Sequence, residues 1–226
     1  MINKITVLIS DDHTIVRAAL RVLLETAEDI VVVGEATNGQ QAVEETKRLR
    51  PRVALLDLAM PLLNGIEAAR QIVSEVPTTK VLMLSGYTDD AHVRQAVQAG
   101  ATGYLVKQTG SQDLLRAVRE VAQGNAFISP SICQGLMTTW RAMLNGEETF
   151  ANGNPLTARQ SQVLQLVAEG YMSKQIAPML SLSIKTVEKH RQSLMQKLDL
   201  HKIADLTRYA ISNGVIESGL VPNVAR

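Results

Sequence analysis

The stretch ITVLISDDH (residues 5–13) raises the question that decides the fold. The apolar and β-branched run 5–9 is followed within two residues by the adjacent aspartates Asp11 and Asp12. Asp and Ser are common where a strand leads into a helix, because their side chains cap helix N-termini. Two neighbouring carboxylates also repel each other, which gives the pair a second interpretation as part of a cation site. Residues elsewhere in the chain distinguish these two interpretations.

Four more short β-branched runs follow the first, at residues 30–35, 53–57, 80–85 and 103–107. The segments between them carry apolar residues at helical spacing. Five strands that alternate with five helices predict a parallel sheet covered by helices on both faces. In open sheets of this kind, ligands bind beyond the carboxyl ends of the strands, at the point where the strand order reverses.

Composition limits the classes of protein that the chain can represent. The chain has 226 residues, of which 46% are hydrophobic, enough for one large domain or two small ones. The single cysteine, Cys133, excludes an internal disulfide framework and a cysteine-based zinc cluster, and it fits a reducing cytoplasm. The opening apolar run is too short for a signal peptide or a membrane span. We therefore expect a cytoplasmic protein with no membrane partner.

Charge is distributed unevenly along the chain. Residues 1–124 hold 13 Lys and Arg against 15 Asp and Glu, a net charge of −2, and residues 125–153 hold one against two, a net of −1. Residues 154–226 hold 9 against 5, a net of +4. This asymmetry predicts two domains and makes nucleic acid a candidate partner of the basic one.

The segment between the two halves reads as a linker. Ser129 and Pro130 are typical of an N-cap followed by the first helical position, and they predict a helix at about 131–144. The stretch NGEETFANGNP (145–155) is rich in Asn and Gly, as flexible linkers are. We therefore expect domains at 1–124 and 154–226, joined by a linker at 125–153.

The predicted sheet brings chemically active residues to one edge. Asp11 and Asp12 follow the first strand, and the third, fourth and fifth strands end at Asp57, Ser85 and Lys107. Three carboxylates at one rim repel unless a cation lies between them, and Mg²⁺ is the natural occupant of such an oxygen-rich site. An aspartate beside a metal ion and a lysine is what phosphoryl transfer onto a carboxylate requires.

Four motifs, DDH (11–13), DLAMPLLNG (57–65), LSGY (84–87) and ATGYLVK (101–107), resemble the receiver domain of bacterial response regulators in order and spacing. The resemblance covers about residues 3–124 and implies a flavodoxin-like (βα)5 domain with a five-stranded parallel sheet. It implies that a sensor histidine kinase phosphorylates Asp57 and that Asp11, Asp12, Asp57 and the backbone carbonyl of Ala59 bind Mg²⁺. By the same resemblance Lys107 contacts the phosphoryl group, Ser85 is the switch hydroxyl and Tyr104 is the switch aromatic. Phosphorylation is expected to draw Ser85 and Tyr104 inward.

The chain departs from the receiver pattern at two places. Gln108 stands where most members have proline, which would loosen the loop after Lys107, because a non-proline peptide bond seldom adopts the cis form. Ala59 and Tyr87 occupy positions that tune dephosphorylation in this family. Since the Ala59 side chain cannot hold an attacking water, we expect slow self-dephosphorylation.

The basic domain contains a helix with two different faces, predicted over residues 183–198. One face is an apolar stripe, and the other carries Lys185, Glu188, Lys189, Gln192 and Gln196. Such a polar face is either ordinary solvated surface or a recognition helix that presents Lys, Glu and Gln to a DNA major groove. The short helix and tight turn that precede it favour the second interpretation, because together they form a helix-turn-helix.

The segments LTARQ (156–160), VLQLVAEGYMSKQIA (163–177) and LSLSIKTVEKHRQSLMQKL (180–198) resemble the all-α, four-helix DNA-binding domain of the LuxR type. A receiver joined to this domain is similar to the NarL/FixJ class of transcription regulators. The resemblance implies binding to double-stranded promoter DNA as a homodimer. The residues it assigns to DNA are Lys174, Lys185, Thr186, Glu188, Lys189, Arg191, Gln192 and Lys197, and those it assigns to the dimer are Leu206, Tyr209 and Ala210. Gln160 replaces a usual Glu, and Pro178 predicts a bend near the start of the second helix.

These residues raise three candidate functions. A Mg²⁺-dependent phosphohydrolase with an aspartyl nucleophile typically needs a second acid two residues after the nucleophile, and Ala59 excludes it. The chain is therefore expected not to be an enzyme beyond phosphotransfer to Asp57 and hydrolysis from it. A regulator controlled without phosphorylation, by a protein or ligand bound to the receiver, remains the alternative. We predict a two-component response regulator that controls transcription.

Overall fold

The computed structural model of the chain describes residues 4–133 and 156–216. Residues 4–133 form a parallel sheet in the order β2-β1-β3-β4-β5-β6. The strands are β1 (Ile5–Ser10), β2 (Ile30–Ala36), β3 (Val53–Asp57), β4 (Lys80–Ser85), β5 (Gly103–Val106) and β6 (Phe127–Ile128). The helices are α1 (Thr14–Glu25), α2 (Gly39–Leu49), α3 (Gly65–Glu75), α4 (Asp90–Gln98) and α5 (Ser111–Ala122).

The predicted α/β fold is confirmed, with one strand more than expected. Five strands coincide with the predicted runs to within one residue at each end. The sixth, β6, has two residues and pairs with β5, extending the sheet on that side. A two-residue strand is too short to show any periodicity, so the sequence pattern could not indicate it.

Helices cover both faces of the sheet because the strand residues alternate between two cores. In β3, Val53 and Leu55 belong to the core formed with α1 and α5, whereas Ala54 and Leu56 belong to the core formed with α2, α3 and α4. All five β3 residues are buried, as expected for a central strand. Asp57 therefore ends a strand that has no solvent-exposed face.

The N-terminus of α1 answers the question that Asp11 and Asp12 raised. Its N-cap is His13, and no side chain caps it. Asn38, Asn64 and Asp89 do cap α2, α3 and α4 with their side chains. The helix-cap interpretation of the two aspartates is therefore wrong, and their carboxylates face the carboxyl edge of the sheet for another reason.

Residues 156–216 fold into the four predicted helices, α6 (Ala158–Ala168), α7 (Ser173–Met179), α8 (Ile184–Lys197) and α9 (Ile203–Ser212). The apolar residues of all four share one core, which includes Leu164, Ile176, Val187 and Leu206. The predicted capping box of Thr157 and Gln160 is present.

Two further predictions differ from the structure or lie partly outside the described residues. Pro178 is the sixth residue of the seven-residue helix α7, and it stands at the end of that helix rather than near its start. A helix begins at residue 130, and residues 130–133 of it are described; 134–144 of the predicted linker helix lie outside the described residues. Among the residues that the structure describes, no helix is long and apolar enough to cross a bilayer.

Candidate functional site

The acidic residues meet where the strand order reverses, between β1 and β3. Ser10 pairs with Leu56 across this boundary, so Asp11 and Asp57 leave adjacent strands side by side. Asp11 is fully buried and Asp57 is 2% exposed. The reversal point is where open α/β sheets bind their ligands, and the structure places the predicted acids there.

Lys107 lies between two of these carboxylates. Its Nζ is 2.9 Å from Asp57 Oδ1 and 2.9 Å from Asp11 Oδ2. The backbone N–H of Lys107 donates to the carbonyl of Ser85 at 2.8 Å, which anchors the end of β5 to the end of β4. Burial lowers the pKa of Lys107, but the charge of Asp57 and hydrogen bonds to Asp57 and Asp11 outweigh it and raise that pKa overall. The lysine is therefore a permanent positive charge in the pocket.

The donor set of the pocket fits a hard divalent cation. Asp11, Asp12, His13 and Asp57 each offer one ligand atom, and these atoms lie within 4.8 Å of one another. Among the described residues, Asp12 Oδ1 is buried without a hydrogen-bond donor and lies 3.0 Å from His13 Nδ1, while Asp11 Oδ2 is buried against Lys107 Nζ. A buried carboxylate oxygen without a donor is costly, and Mg²⁺ would satisfy it. The residues present therefore fit such an ion.

Two residues that support this pocket were missed in the sequence. Arg17 is 9% exposed, and its Nη1 donates to the backbone carbonyl of Asp11 at 2.8 Å, while its Nε donates to Glu35. The backbone N–H of His13 donates to Asp11 Oδ1 at 2.8 Å. The signal for Arg17 was an arginine on the apolar face of the predicted first helix. His13 lies in the DDH motif (11–13), but no role was assigned to it.

The predicted switch residues, Ser85 and Tyr104, lie close together, but the Tyr104 ring is already in the inward position. Ser85 Oγ accepts a hydrogen bond from the Tyr87 N–H at 2.9 Å. The Tyr104 ring is 1% exposed, and its hydroxyl donates to the Tyr87 carbonyl at 3.0 Å. Burial raises the pKa of Tyr104 to about 12. The tyrosine already occupies the inward position that the sequence interpretation assigned to the phosphorylated state.

The loop from Asp57 to α3 is folded tightly against the acceptor. Leu58 N–H lies 2.9 Å from Asp57 Oδ1 and 3.1 Å from the Leu84 carbonyl, and Gly65 N–H donates to the Leu58 carbonyl at 2.8 Å. A Cβ on Gly65 would overlap the backbone carbonyl of Asp57. Ala59, the expected source of a metal-binding carbonyl, is 1% exposed in this loop. The glycine is thus required by a close backbone approach.

The same loop is bound by helix α6. Gln165 Nε2 donates to the Met60 carbonyl at 2.8 Å, and Gln165 Oε1 accepts from the Asn64 N–H at 2.8 Å. Glu169 accepts from the Leu62 N–H at 3.1 Å and from Gln165 Nε2 at 2.8 Å. Gln165 is fully buried and Glu169 is 5% exposed; burial raises the pKa of Glu169, against hydrogen bonds from Gln165 and the Leu62 N–H that lower it. Neither residue was predicted from the sequence.

A second contact joins α4 to the end of α9. His92 is 4% exposed, stacks on Tyr87 with ring centroids 4.5 Å apart, and lies 2.6 Å from Asp89 through Nδ1. Its Nε2 is 3.0 Å from the backbone carbonyl of Asn213. The residue beside the switch serine is therefore linked through one imidazole to the helix-turn-helix region.

The polar face of α8 is open to solvent. Lys185, Glu188, Lys189 and Gln192 are all exposed, whereas Val187 and Leu194 on the other face are fully buried. Helix α7 packs against α8, with the turn between them passing through Ser181 at φ +53°. This is the helix-turn-helix geometry that the pattern predicted.

The remaining residues assigned to DNA have different surroundings. Lys174 is exposed and Thr186 is partly exposed. Arg191 Nη1 donates to Ser173 Oγ at 2.8 Å, and Lys197 Nζ lies 3.5 Å from Gln160 Oε1, so both also brace helices of their own domain. Gln160, the departure from the family's usual Glu, is thereby a helix-to-helix contact.

Two of the residues assigned to the dimer are not on the surface. Leu206 and Ala210 are fully buried in the core of residues 156–216. They cannot contact a second chain without disrupting that core. Tyr209, which is partly exposed, is the member of the set that reaches the surface of α9. Alternation of apolar residues along α9 did not distinguish an internal face from an oligomer face.

Both halves of the chain match known families. Residues 7–119 match the response regulator receiver domain, and residues 154–210 match the bacterial regulatory proteins of the luxR family. The chain is 33% identical to the transcriptional regulatory protein DegU of Brevibacillus brevis, with 95% of this chain and 96% of DegU covered. It is 34% identical to the response regulator protein VraR of Staphylococcus aureus, with 94% and 99% covered. It is 33% identical to the oxygen regulatory protein NreC of Staphylococcus carnosus, with 93% and 99% covered.

Solved structures agree with these relatives. One structure of the RcsB response regulator of Salmonella typhimurium superposes with a TM-score of 0.66 at 28% identity, over 93% of this chain and 98% of RcsB. The RcsB–DNA complex superposes with a TM-score of 0.57 at 28% identity, over 93% and 99%. With the acidic pocket at one end of the chain and the helix-turn-helix at the other, the chain belongs to the NarL/FixJ class of response regulators, a receiver domain joined to a LuxR-type DNA-binding domain.

Proposed function

We propose that a sensor histidine kinase phosphorylates this regulator on Asp57 and that phosphorylation controls its binding to promoter DNA. The observation that carries the proposal is Lys107 Nζ, 2.9 Å from both Asp57 Oδ1 and Asp11 Oδ2. A fixed ammonium beside a buried carboxylate can hold the oxygens of an incoming phosphoryl group. The proposed receiver spans 1–124, the linker 125–153 and the DNA-binding domain 154–226.

In the proposed reaction an oxygen of Asp57 attacks the phosphorus of the kinase phosphohistidine. The new bond is P–O to Asp57, the bond that breaks is P–N to the histidine, and the departing imidazole nitrogen takes the electron pair and a proton from solvent. Lys107 holds the phosphoryl oxygens. Ser85, at the end of β4, would donate to one of them.

Asp11, Asp12, Asp57 and the carbonyl of Ala59 would hold Mg²⁺ at this site. The ion, when bound, neutralises charge on the phosphoryl oxygens. Its protein ligands are supported by the short distances within the acidic group and by Asp12 Oδ1, which is buried without a hydrogen-bond donor among the described residues. His13 lies at the mouth of the same group, 3.0 Å from Asp12 Oδ1.

The effect of phosphorylation is proposed to reach the DNA-binding domain by way of Ser85 and Tyr87. A Ser85 hydroxyl that turns to the phosphoryl group would give up its hydrogen bond from the Tyr87 N–H. Because Tyr87 stacks on His92 and His92 contacts Asn213, the change would reach the DNA-binding domain. Tyr104 is inward already, so this step needs no rotation of its ring.

On DNA, Glu188, Lys189 and Gln192 are proposed to face base edges. Lys185, Lys174, Thr186, Arg191 and Lys197 are proposed to contact phosphates. RcsB has been solved on DNA and as dimers bound to DNA, which supports the same mode for this chain. We propose a homodimer in which Tyr209 contributes to the contact. Because promoters are the proposed target, the protein would act in the cytoplasm.

The experiment is phosphorylation of the full-length protein with acetyl phosphate and Mg²⁺, followed by intact mass spectrometry. One phosphoryl group is expected on the wild type and none on Asp57→Asn, with loss of the label when Mg²⁺ is chelated first. An unmodified wild type would overturn the proposal and favour control by a protein or ligand bound to the receiver. The same assay gives the lifetime of the label, which is expected to be long because Ala59 cannot hold a water.

A further inference from the structure

The DNA-binding domain binds the loop that follows Asp57 through two side chains, Gln165 in α6 and Glu169, the C-cap residue of α6. Gln165 and Glu169 together bind backbone groups of Met60, Leu62 and Asn64. We propose that these two residues are positioning residues for phosphoryl transfer: docked, they hold the loop after Asp57 in a resting conformation and slow its phosphorylation. The proposal rests on Asp57 being the phosphoacceptor.

The Gln165 amide binds the loop at two points. Its Nε2 donates to the Met60 carbonyl and its Oε1 accepts from the Asn64 N–H, both at 2.8 Å. A side-chain amide that bonds two backbone groups in this way fixes the distance between them. Glu169 binds the residue midway, Leu62, whose backbone is left-handed at φ +67°. The loop is thus held at both ends and at its most constrained residue.

Residues 60–64, which Gln165 and Glu169 bind, are coupled to Asp57 through short backbone contacts. Gly65 N–H donates to the Leu58 carbonyl, and the Leu58 N–H lies 2.9 Å from Asp57 Oδ1. No side chain fits between Gly65 and the backbone of Asp57. A displacement of residues 60–64 therefore moves groups that touch the acceptor carboxylate, and a helix that prevents the displacement restrains that carboxylate.

The contact that Gln165 and Glu169 make is polar, and it leaves the polar face of α8 exposed. Burying the Glu169 carboxylate costs free energy, and its hydrogen bonds from Gln165 and the Leu62 N–H act against that cost. Lys185, Glu188 and Lys189 are exposed in the docked state. The contact therefore acts on the phosphoacceptor loop and does not work by covering the recognition helix.

The contact itself gives the direction of the effect. It holds the resting loop, whose Leu58 N–H lies 2.9 Å from Asp57 Oδ1, and an interaction that stabilises the resting state but not the transition state slows a reaction. Substitutions that break the contact are therefore expected to speed transfer. Gln165 and Glu169 hydrogen-bond to each other and to receiver backbone, so replacing them spares the core contacts of the DNA-binding domain.

The test compares full-length Gln165→Ala, Glu169→Ala, Glu169→Gln and Gln160→Ala with the wild type. Acetyl phosphate donates the phosphoryl group, its P–O bond breaks and acetate leaves. Rates are measured over a range of acetyl phosphate to separate kcat from KM, and hydrogen exchange reports the Leu62 and Asn64 amides. Gln160 serves as the control because it bonds Thr157 and Ser193 within its own domain.

The expected result is a rise in kcat of about 5-fold or more for the two alanine variants, which corresponds to about 1 kcal/mol off the activation barrier. The Leu62 or Asn64 amide should lose protection in the same variants. Glu169→Gln keeps an acceptor oxygen and should not accelerate transfer, and neither should Gln160→Ala. Unchanged kcat in the alanine variants, or amides that stay protected in them, would overturn the inference while Asp57 remains the acceptor. A wild type that takes no phosphoryl group would instead overturn the proposed function and this inference with it.

Discussion

Lys107 Nζ lies 2.9 Å from Asp57 Oδ1, and the same atom lies 2.9 Å from Asp11 Oδ2. The Lys107 ammonium therefore pairs with two buried carboxylates, which lie at the carboxyl ends of neighbouring strands. This arrangement explains how an acidic pocket can fold before any cation binds, and it gives the pocket a positive charge that a phosphoryl group can use.

Lys107→Met should destabilise the protein when no divalent cation is present. Removing one partner of a buried ion pair leaves uncompensated charge and costs about 3 kcal/mol of the free energy of unfolding. Mg²⁺ should restore more stability to this variant than it adds to the wild type. Thermal unfolding with and without Mg²⁺ measures both effects. Lys47→Met, which removes an exposed ion pair with Glu75, is the control and should change little; equal behaviour of the two variants would contradict the role of Lys107.

Asp12→Ala should fold normally and lose the response to Mg²⁺. Asp12 is more exposed than Asp11 or Asp57, and removing it lessens repulsion in the acidic group. The wild type should gain about 2.7 kcal/mol at a Mg²⁺ concentration 100 times the Kd. The variant should gain none and should not be phosphorylated. The exposed acid Glu28 provides a matched change to alanine, after which the Mg²⁺ response should persist. A full Mg²⁺ response in Asp12→Ala would show that the cation binds elsewhere.

Gly65→Ala should distort the loop that carries the acceptor. Its new Cβ would overlap the Asp57 carbonyl and press on the Met83 side chain. Overpacking of this kind costs roughly 1–3 kcal/mol, and the phosphorylation rate should fall with it. Denaturant unfolding and the acetyl phosphate assay give the two values. Gly110→Ala, where a Cβ meets nothing within 4 Å, should keep the phosphorylation rate; a normal rate in Gly65→Ala would mean that the loop has room to adjust.

The docking of α6 should strengthen as pH falls. Burial raises the pKa of Glu169 when it is docked, so the docked state binds a proton more tightly than the undocked state does. Docking is therefore most favourable when Glu169 is protonated and weakens as pH rises from the ordinary range of a glutamate through the raised value. Exchange protection of the Leu62 amide, corrected for the intrinsic rate at each pH, follows this change. Glu169→Gln should show a flat profile, and a flat wild-type profile would contradict the assignment.

The sequence was sufficient for five of the six strands and for most of the pocket, because those signals are local. Strands 53–57 and 80–85 are continuous apolar runs, and parallel strands place their carboxyl ends at one edge, so Asp57 and Ser85 had to lie at the same edge. Gln165 and Glu169 could not be predicted, because their roles depend on contacts with a distant part of the chain. Polar residues on an amphipathic helix look solvated, and only the approach of the receiver loop buries them.

Leu206 and Ala210 show a similar limit of sequence-based prediction: both were assigned to a dimer surface, and both are buried in the core of their own domain. Their helical spacing marks an apolar face, which is all that periodicity can indicate. Whether that face closes the core of its own domain or meets a second chain depends on how α6 and α9 pack, and here they pack closely. The inward ring of Tyr104 was likewise beyond the pattern, because a rotamer depends on neighbours such as Tyr87.

The central claim is that the phosphoryl group on Asp57 controls DNA binding. The most direct measurement is the affinity of the full-length protein for a promoter fragment found by chromatin occupancy mapping, determined by fluorescence anisotropy at one fixed salt concentration. The wild type treated with acetyl phosphate and Mg²⁺ should bind roughly 10-fold more tightly than the untreated protein, within the usual range of coupling between sites. Asp57→Asn given the same treatment should keep the untreated affinity. Equal affinities of the phosphorylated wild type and Asp57→Asn would contradict the account.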